Sequence, residues 1–427
     1  MKIKNFKELA MTESRRKVLE IAEAGLQAID TGTVIKNNIR FEKGIIYVKD
    51  ESFSVEPGSR LLVVGVGKCS LEVGAALEAI LGKAISGGIV IDVHPGKLKR
   101  IKAYAGTHPF PSEQNVDATR KVIQLLAGLT KKDLVIFIIS GGGSTLLCQP
   151  TNFTYQDEAE IIKCLFAGGA TIEEINTMRK HLSLARGGYL AKYAYPAKVI
   201  SLIFSDVPGD RIEFVASGPT VKDSTTVVHA KKIVRKYEIE KKFGFIANGL
   251  IETPKDNKYF ENVKNILLVT NKIALTAMAK RGKELGFKTR IKTRELRGEA
   301  REVGEKIVRD IDSAPSKTIL LYGGETTVTL KEKGRGGRNQ ELTLSALRFL
   351  KNGEIIAAVA SDGRDNSDFA GVICDIMTRE RAENLGLVLE RYLYENRSYE
   401  FWNRTQDYIL TGDTGSNVSD LIVALKE

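Results

Sequence analysis

Short, almost continuously apolar runs recur along this chain, and they restrict its fold more than any other feature. Four of them, at residues 61–66, 88–93, 134–140 and 199–207, are separated by segments with helical periodicity. Strands that are apolar at successive positions are buried on both faces, as in a parallel sheet covered by helices. The first half of the chain therefore predicts an α/β domain with a mostly parallel sheet.

The same alternation resumes later, with runs at 265–270, 318–325, 354–362 and 408–412. A chain of 427 residues also exceeds what one hydrophobic core usually supports. We predict two domains, 1–240 and 241–427, the second a smaller α/β domain. An amphipathic helix is expected over 13–29, packed on a sheet. A terminal helix or strand can still cross back to the other domain.

Composition narrows the class of protein. Apolar residues make up 43% and charged residues 27% of the chain, which suits a globular protein and not a disordered one. The apolar runs are far shorter than a membrane span, and the amino terminus lacks the pattern of a secretory signal, so we expect a cytoplasmic protein without membrane contact. Four scattered cysteines indicate neither a zinc site nor disulfides.

The net charge of +11 is spread along the whole chain, without a basic arm or interleaved aromatic residues. This distribution favours an anionic small molecule over nucleic acid, although a basic nucleic-acid-binding protein remains an alternative. A basic solvated surface is the third interpretation. The sequence leaves a homodimer open.

Polar or charged residues stand at the ends of five apolar runs: Lys68, Ser140, Asp206, Glu325 and Asp362. Ligands of open α/β sheets bind at the carboxyl ends of strands, where loops meet helix amino termini. Turns favour Asp, Ser and Gly in any case, which explains one such residue more easily than five. We therefore predict that a ligand binds at the carboxyl ends of the strands.

A glycine loop, Ser140, Gly141, Gly142, Gly143 and Ser144, follows the run that ends at residue 139. Three successive glycines let backbone N–H groups approach an anion, and a following helix would add positive potential. We predict phosphate or carboxylate binding here, with an ordinary tight turn as the alternative. The loop is not a P-loop, because GxxxxGK[ST] does not occur in the chain.

The segment GVGKCS at 65–70 nearly matches the dinucleotide fingerprint GxGxxG, and Asp92 lies in the next apolar run. An NAD(P)-dependent hydroxypyruvate or tartrate reductase is therefore a rival interpretation. Against it, Ser70 stands where the third glycine belongs. Lys68 would also place an ammonium near phosphate oxygens, whereas dinucleotide loops ordinarily present backbone alone.

Two residues are candidates for contact with a substrate. Asp206 can accept a hydroxyl proton or hold Mg²⁺, although Asp before Pro-Gly is also ordinary turn chemistry. Arg179, in a helical stretch, can bind a carboxylate bidentately, unless it is simply solvated. In the second half, Arg335 and Arg338 lie among glycines at a helix start and predict phosphate contacts.

Acidic residues after the later runs supply the hard oxygen ligands that Mg²⁺ prefers. Glu325 and Asp362 are the predicted metal ligands, with capped turns as the alternative. The remaining predicted binding residues are Ser217, Asn339, Asp413, Thr414 and Asn417.

In these motifs the chain resembles the glycerate kinases of the MOFRL type, also called class II glycerate 2-kinases. The matching segments run in order through most of the chain, among them GVGK at 65, SGGGS at 140, SDVPGD at 205, GRGGRNQE at 334 and TGDTGSN at 411. The resemblance implies a larger Rossmann-like amino-terminal domain, a smaller carboxyl-terminal α/β domain and an active site in the cleft between them.

The same resemblance implies ATP, a divalent cation, taken as Mg²⁺, and phosphorylation of D-glycerate, in most relatives at the 2-hydroxyl. Lys68, Asp206 and Arg338 match motif positions associated with catalysis, and the glycine loop and TGDTGSN match ligand-binding positions. We expect in-line phosphoryl transfer, in which Lys68 and Arg338 stabilise charge on the phosphoryl group. Asp206 would orient or deprotonate the substrate hydroxyl.

Overall fold

The computed structural model describes residues 1–207, 209–244 and 246–427, apart from the side chains of Ile246 and Ala247. The strands are β1 (Ile39–Glu42), β2 (Ile45–Val48), β3 (Glu51–Ser54), β4 (Leu61–Val66), β5 (Gly87–Asp92), β6 (Ile101–Ala105), β7 (Leu134–Ile139), β8 (Lys198–Phe204), β9 (Val263–Val269), β10 (Lys288–Leu296), β11 (Thr318–Gly324), β12 (Glu354–Ala360), β13 (Gly371–Cys374), β14 (Tyr408–Ile409) and β15 (Asp420–Lys426). The strands predicted from the apolar runs are all present.

The helices are α1 (Phe6–Leu9), α2 (Glu13–Ala28), α3 (Thr31–Asn38), α4 (Ser70–Leu81), α5 (Glu113–Leu125), α6 (Gly143–Leu146), α7 (Tyr155–Ala167), α8 (Ile172–His181), α9 (Tyr189–Ala194), α10 (Val227–Lys236), α11 (Ile239–Phe243), α12 (Ile246–Gly249), α13 (Asn271–Glu284), α14 (Ala300–Asp312), α15 (Arg338–Leu347), α16 (Ile376–Asn384), α17 (Leu389–Tyr394) and α18 (Ser398–Thr405). Short 3₁₀ helices cover Gly82–Ala84, Val215–Ser217 and Asn257–Tyr259. Over the described residues, no helix combines the length and the apolar character that crossing a membrane requires.

The chain forms two compact units. The central unit comprises Val34–Val207 and Arg211–Leu268, and the terminal unit comprises Met1–Thr33, residues 209–210 and Val269–Glu427. This division differs from the predicted domains 1–240 and 241–427. The strand β9, which the sequence analysis placed in the second domain, lies beside β8 at the edge of the central sheet. The helix α2 packs on α13, β12 and β15 of the terminal unit, so the predicted helix does lie on a sheet and crosses to the other unit.

The central unit holds a sheet in the order β6-β5-β4-β7-β8-β9. The strands from β6 to β8 are parallel, with Val66 of β4 opposite Ile139 of β7, and Ile139 opposite Ile203 of β8. Both faces of β4 and β7 are buried, as their continuous apolar sequences predict. Because the register is level, the residues that follow β4, β7 and β8 meet at one edge, here called the central edge.

The terminal unit holds a mixed sheet in the order β10-β11-β15-β12-β13-β14. The last strand, β15, runs antiparallel between β11 and β12 and places Asp420 opposite both Gly324 and Ala360. The start of β15 therefore lies level with the ends of β11 and β12, at what we call the terminal edge. The α/β class predicted for both halves is confirmed.

The remaining elements belong mainly to the central unit. The strands β1, β2 and β3 form a small antiparallel sheet. The helices α7, α8 and α10 share a separate apolar core, which contains Ile161, Met178 and Val234. This core fixes α8, the helix that carries Arg179.

Candidate active site

The central edge brings three predicted residues to one place. Lys68 follows β4, the glycine loop follows β7, and Asp206 follows β8. The backbone N–H of Lys68 donates to the carbonyl of Gly141 at 3.0 Å, and that of Ser140 donates to the carbonyl of Val66 at 3.0 Å. The loop after β4 is thereby fastened to the glycine loop.

Two glycines of this loop leave room for functional side chains. A Cβ added to Gly141 would lie 2.1 Å from a carboxylate oxygen of Asp206, so a side chain there would displace the acid. A Cβ added to Gly142 would lie 3.1 Å from Cγ of Lys68 and 3.4 Å from Cδ2 of His108. Gly142 also has φ of +78°, a conformation that favours glycine. The loop therefore places Asp206 and Lys68 against adjacent residues.

Two cationic side chains lie at the central edge, Lys68 and Arg179. Lys68 is exposed, Arg179 on α8 is half-buried, and neither side chain forms an ion pair or hydrogen bond with the rest of the described chain. Burial and the nearby charge of Arg186 lower the pKa of Arg179 to about 10, against the opposing pull of Glu158. Arg179 still carries its charge at neutral pH. Cationic side chains in such a position can bind an anion.

His108 lies in the same group, after β6. Partial desolvation of its ring, together with the charges of Lys68 and Arg179, lowers the pKa of His108 to about 4. The imidazole is therefore neutral at neutral pH and can donate one hydrogen bond and accept another. His108 belongs to the segment GTHPFP at 106–111 and is not among the predicted site residues.

A hydrogen-bond chain links α8 to the glycine loop. Ser144 and Ser217 have their hydroxyl oxygens 2.9 Å apart, and the Ser217 hydroxyl donates to Oδ1 of Asn176 at 2.7 Å. Ser217 is fully buried, so the predicted direct contact between Ser217 and a ligand is not supported. It supports Ser144 instead.

Other members of the glycine loop are also supports. Ser140 is buried, and its hydroxyl lies near the backbone N–H of Cys69 at 3.5 Å. A Cβ added to Gly143 would lie 2.6 Å from that of Ala216, so Gly143 lies inside the packing. The predicted helix after the loop is α6, which has only four residues. Its dipole contributes little at this loop.

The position of Asp92, which ends β5, weakens the dinucleotide interpretation. This carboxylate is buried and accepts hydrogen bonds from the backbone N–H groups of Leu71 at 3.0 Å and His94 at 3.1 Å. It thus occupies the amino terminus of α4, where a dinucleotide fold places the pyrophosphate. An acid held there is not available to bind ribose hydroxyls.

At the terminal edge the main cation is paired. Arg338, at the start of α15, donates to both carboxylate oxygens of Asp420 at 2.5 and 3.0 Å, and its Nη2 lies 3.0 Å from Glu325. Burial works against the charge of Arg338, but Asp420 and Glu325 outweigh it and hold its pKa above the ordinary value. Burial also raises the pKa of Asp420, against the pull of Arg338. Because arginine stays protonated in proteins, the pair is ionic at neutral pH.

Asp365 occupies the amino terminus of α15. Its carboxylate accepts the backbone N–H groups of Asn339 at 3.1 Å and Gln340 at 2.9 Å. Burial and the charge of Asp420 raise the pKa of Asp365 to about 6. Asn339, a predicted ligand, is buried and donates from its side-chain amide to Asp365 at 3.3 Å, so it acts as a support. This cap was not predicted, although GRDN at 363–366 contains it.

Arg335 does not point to a free anion site by itself. Its guanidinium lies 3.7 Å from the ring centroid of Tyr399 and donates to Asp368 at 2.9 Å. Tyr399 in turn stacks on Phe369, with ring centroids 4.5 Å apart. The predicted phosphate contact of Arg335 would have to replace this exposed ion pair.

The TGDTGSN segment has mixed roles. Thr414 is buried, and its hydroxyl donates to a backbone carbonyl, that of Ser361 at 2.5 Å, so its predicted ligand contact is not supported. Asp413 is exposed and pairs with Arg364 at 2.6 Å. Asn417 is half-buried, and its Oδ1 accepts the backbone N–H of Ser419 at 3.2 Å.

No preformed metal cage accompanies these acids. Over the described residues, no group of three or more His, Cys, Asp or Glu side chains is arranged to hold an ion. Glu325 and Asp362, the predicted metal ligands, follow β11 and β12, which are separated by β15. Magnesium usually takes only one or two carboxylates and fills its remaining positions with water and phosphate oxygens. The donor set therefore fits a magnesium ion that arrives with a nucleotide.

Sequence comparison finds relatives that match most of this chain. Residues 17–246 match a family described as a domain of unknown function (DUF4147), and residues 318–420 match the MOFRL family. A D-glycerate 2-kinase of Thermotoga maritima is 39% identical over 381 residues, covering 86% of this chain and 90% of the relative. A protein of Agrobacterium vitis, provisionally named hydroxypyruvate reductase, is 36% identical over 96% of this chain and 94% of its own.

Structural comparison agrees. A crystal structure of a glycerate kinase from Thermotoga maritima matches with a TM-score of 0.85 and 34% identity, covering 96% of this chain and 99% of that one. The motifs, the two sheets and the relatives therefore give the same answer: the chain belongs to the MOFRL-type family of class II glycerate kinases.

Proposed function

We propose that this protein transfers the terminal phosphoryl group of ATP to the 2-hydroxyl of D-glycerate. One observation carries the proposal: the glycine loop holds Asp206 against Gly141 and Lys68 against Gly142. A carboxylate that can orient a hydroxyl thus lies beside an ammonium that can neutralise a phosphoryl group. The relatives named glycerate kinase support this choice of substrate.

The unpaired cations suit the carboxylate of glycerate. Arg179 offers a planar guanidinium that can bind a carboxylate through two hydrogen bonds. Its partly desolvated position strengthens such a pair, because a charge is screened less there than in water. Asp206 then takes the reacting hydroxyl, as a hydrogen-bond acceptor or as a base.

The transferring phosphoryl group needs charge stabilisation more than covalent chemistry. Lys68 and Arg338 supply this charge stabilisation. The expectation of a cleft between the domains stays a prediction. Glu325 and Asp362 are the residues that would hold Mg²⁺, which when bound neutralises the phosphate oxygens. Asp420 keeps Arg338 oriented by its paired hydrogen bonds.

The test is an ADP-release assay with ATP and D-glycerate, followed by phosphorus NMR of the product. We expect ADP to form only with both substrates and the product to be the 2-phosphate. Release of ADP that does not depend on glycerate would contradict the proposal. For the reductase interpretation, the absorbance at 340 nm with NADH or NADPH and hydroxypyruvate should stay constant, since Asp92 blocks the dinucleotide position.

The sequence also predicts a cytoplasmic protein without nucleic-acid or membrane partners, and these points stay predictions. The same holds for a homodimer. A gel-shift titration with duplex and single-stranded DNA checks the nucleic-acid alternative, because such binding weakens steeply with salt. We expect no shift at physiological salt.

A further inference from the structure

The hydrogen-bond chain at Ser144 has a direction. Asn176 donates from Nδ2 to the backbone carbonyl of Ile172 at 2.9 Å, and a carbonyl can only accept. Oδ1 of Asn176 therefore faces Ser217, whose hydroxyl donates to it at 2.7 Å. A serine hydroxyl has one proton, so Ser217 must accept at its 2.9 Å contact with Ser144.

It follows that Ser144 has already used its only proton inside the protein. Towards a ligand it presents lone pairs alone. Phosphate and carboxylate oxygens also present lone pairs alone at neutral pH, so Ser144 cannot donate to them in this state. The ligand group beside Ser144 must itself be a donor, and the neutral donor of a hydroxy acid is a hydroxyl.

The backbone around Ser217 has an unusual and well-supported conformation. Ala216, Ser217 and Gly218 all have positive φ, at 51°, 58° and 60°. Non-glycine residues rarely adopt such angles, and sites that keep them are often functional. The carbonyls of Ser217 and Gly218 accept the backbone N–H groups of Gly187 at 2.9 Å and Gly188 at 2.8 Å.

We propose that Ser144 accepts a hydrogen bond from the substrate hydroxyl that is not phosphorylated, the 3-hydroxyl of D-glycerate. This inference rests on the proposed function and extends it to substrate selection. Within the central unit, each polar group of glycerate then has a complementary partner: Arg179 for the carboxylate, Asp206 for the reacting hydroxyl and Ser144 for the second one. The site selects 2,3-dihydroxy acids over 2-hydroxy acids that lack the second hydroxyl.

The experiment measures dissociation constants of D-glycerate and D-lactate by isothermal titration calorimetry, on the full chain. Lactate keeps the carboxylate and the 2-hydroxyl but lacks the 3-hydroxyl. We expect the unaltered protein to prefer glycerate at least about 100-fold, because a site built for a hydroxyl rejects the analogue without it. Ser144→Ala should lower the preference to a few-fold by weakening glycerate binding alone.

Ser217→Ala tests the directional chain, because Ser217 is fully buried and cannot touch the ligand. Without its acceptor at position 217, the Ser144 hydroxyl can rotate and is no longer held as an acceptor towards the ligand. The preference for glycerate should therefore fall in this variant too. Ser144→Thr, which keeps the hydroxyl, should stay within about threefold of the unaltered protein. Ser52→Ala, at an exposed position of β3, is the matched control and should change nothing.

Failure has three distinguishable forms. If the unaltered protein neither binds nor phosphorylates D-glycerate, the proposed function itself is wrong. If it does both, and Ser144→Ala folds normally yet keeps the full preference over lactate, then only the role of Ser144 is wrong. If Ser144→Ala loses the preference for glycerate and Ser217→Ala keeps it, the hydrogen bond to Ser217 does not set the donor direction at Ser144.

Discussion

The two sheet edges of this protein treat charge in opposite ways. At the central edge, Lys68 and Arg179 have no acidic partner within the described chain. At the terminal edge, Arg338 is held by Asp420 and Glu325. In our proposal an anionic ligand completes the central edge, whereas the arginine at the terminal edge is paired within the protein.

This difference assigns different roles to the two edges: we expect ligand binding at the central edge and positioning of a charged side chain at the terminal edge. Unpaired cations held near one another cost stability in the empty protein, and an anionic ligand removes that cost when it binds. A paired arginine costs less in the empty protein and keeps a fixed orientation, which suits a group that meets a phosphoryl group only during transfer. Mutations at the two edges should therefore have different signatures.

The largest effect is expected at Lys68. Lys68→Ala should lower kcat by roughly 10³-fold, because removing one charge-stabilising group at a transition state typically costs that much. The melting temperature should not fall, since Lys68 is exposed and unpaired among the described residues. Lys132→Ala, an exposed lysine before β7 at the opposite end of the sheet, is the control and should keep full activity. Near-normal turnover of Lys68→Ala would remove this residue from catalysis.

At the terminal edge, activity and stability should fall together. Arg338→Ala leaves Asp420, of which only 2% is exposed, without its partner, and we expect a loss of about 2 kcal/mol in the free energy of unfolding. The loss should grow with pH, because the folded state then carries an uncompensated carboxylate whose pKa is raised further. Urea unfolding at pH 5 and pH 8 measures it.

The control for this change is Arg309→Ala, on an exposed part of α14, which should stay within about 0.5 kcal/mol. If Arg338→Ala loses activity with unaltered stability at both pH values, the contrast between the two edges is not real. The arginine would then behave like Lys68.

The sequence was sufficient to predict which residues meet at the central edge, but it did not predict the partner of Arg338 at the terminal edge. The runs before Lys68, Ser140 and Asp206 are continuous, and parallel strands in level register must bring their ends together. The partner of Arg338 lies 82 residues away, on a last strand that was not predicted. Its position between β11 and β12 depends on tertiary pairing, which local patterns do not encode.

The sequence motifs also did not distinguish side chains that can contact a ligand from side chains that support the loops around it. Ser217, Asn339 and Thr414 all lie in the expected loops, yet the structure buries each one and satisfies its polar atoms internally. A hydroxyl or amide serves equally well in either role. Only the direction of a side chain and its burial decide between them.

A smaller effect is expected at Arg179, and it tests the difference in charge pairing between the two edges. Arg179→Gln should raise KM for D-glycerate about 30-fold and leave KM for ATP unchanged, because the lost guanidinium pairs with a carboxylate, and such charged hydrogen bonds contribute about 2 kcal/mol. Stability should stay equal or rise, since a half-buried charge without a partner is removed. Arg120→Gln, on the exposed face of α5, is the control. Equal changes in both KM values would contradict a role in carboxylate binding.

The smallest effect concerns the titration of His108. Because desolvation and the cations Lys68 and Arg179 lower its pKa to about 4, the imidazole should stay neutral across the physiological range. Its contribution to stability is then complete above the unfolded value near 6.5 and is lost as the pH falls towards 4. Lys68→Met should raise the pKa of His108, and bound D-glycerate should raise it as well, because each reduces the local positive charge.

The ring protons of His108, followed by NMR between pH 3.5 and 8, report the midpoint directly. Lys132→Met should leave that midpoint in place. A midpoint near 6.5 that responds neither to Lys68→Met nor to glycerate would mean that the cations at the central edge do not act on one shared ligand position. The ligand-binding role of the unpaired edge would then have to be assigned to Arg179 and Lys68 separately.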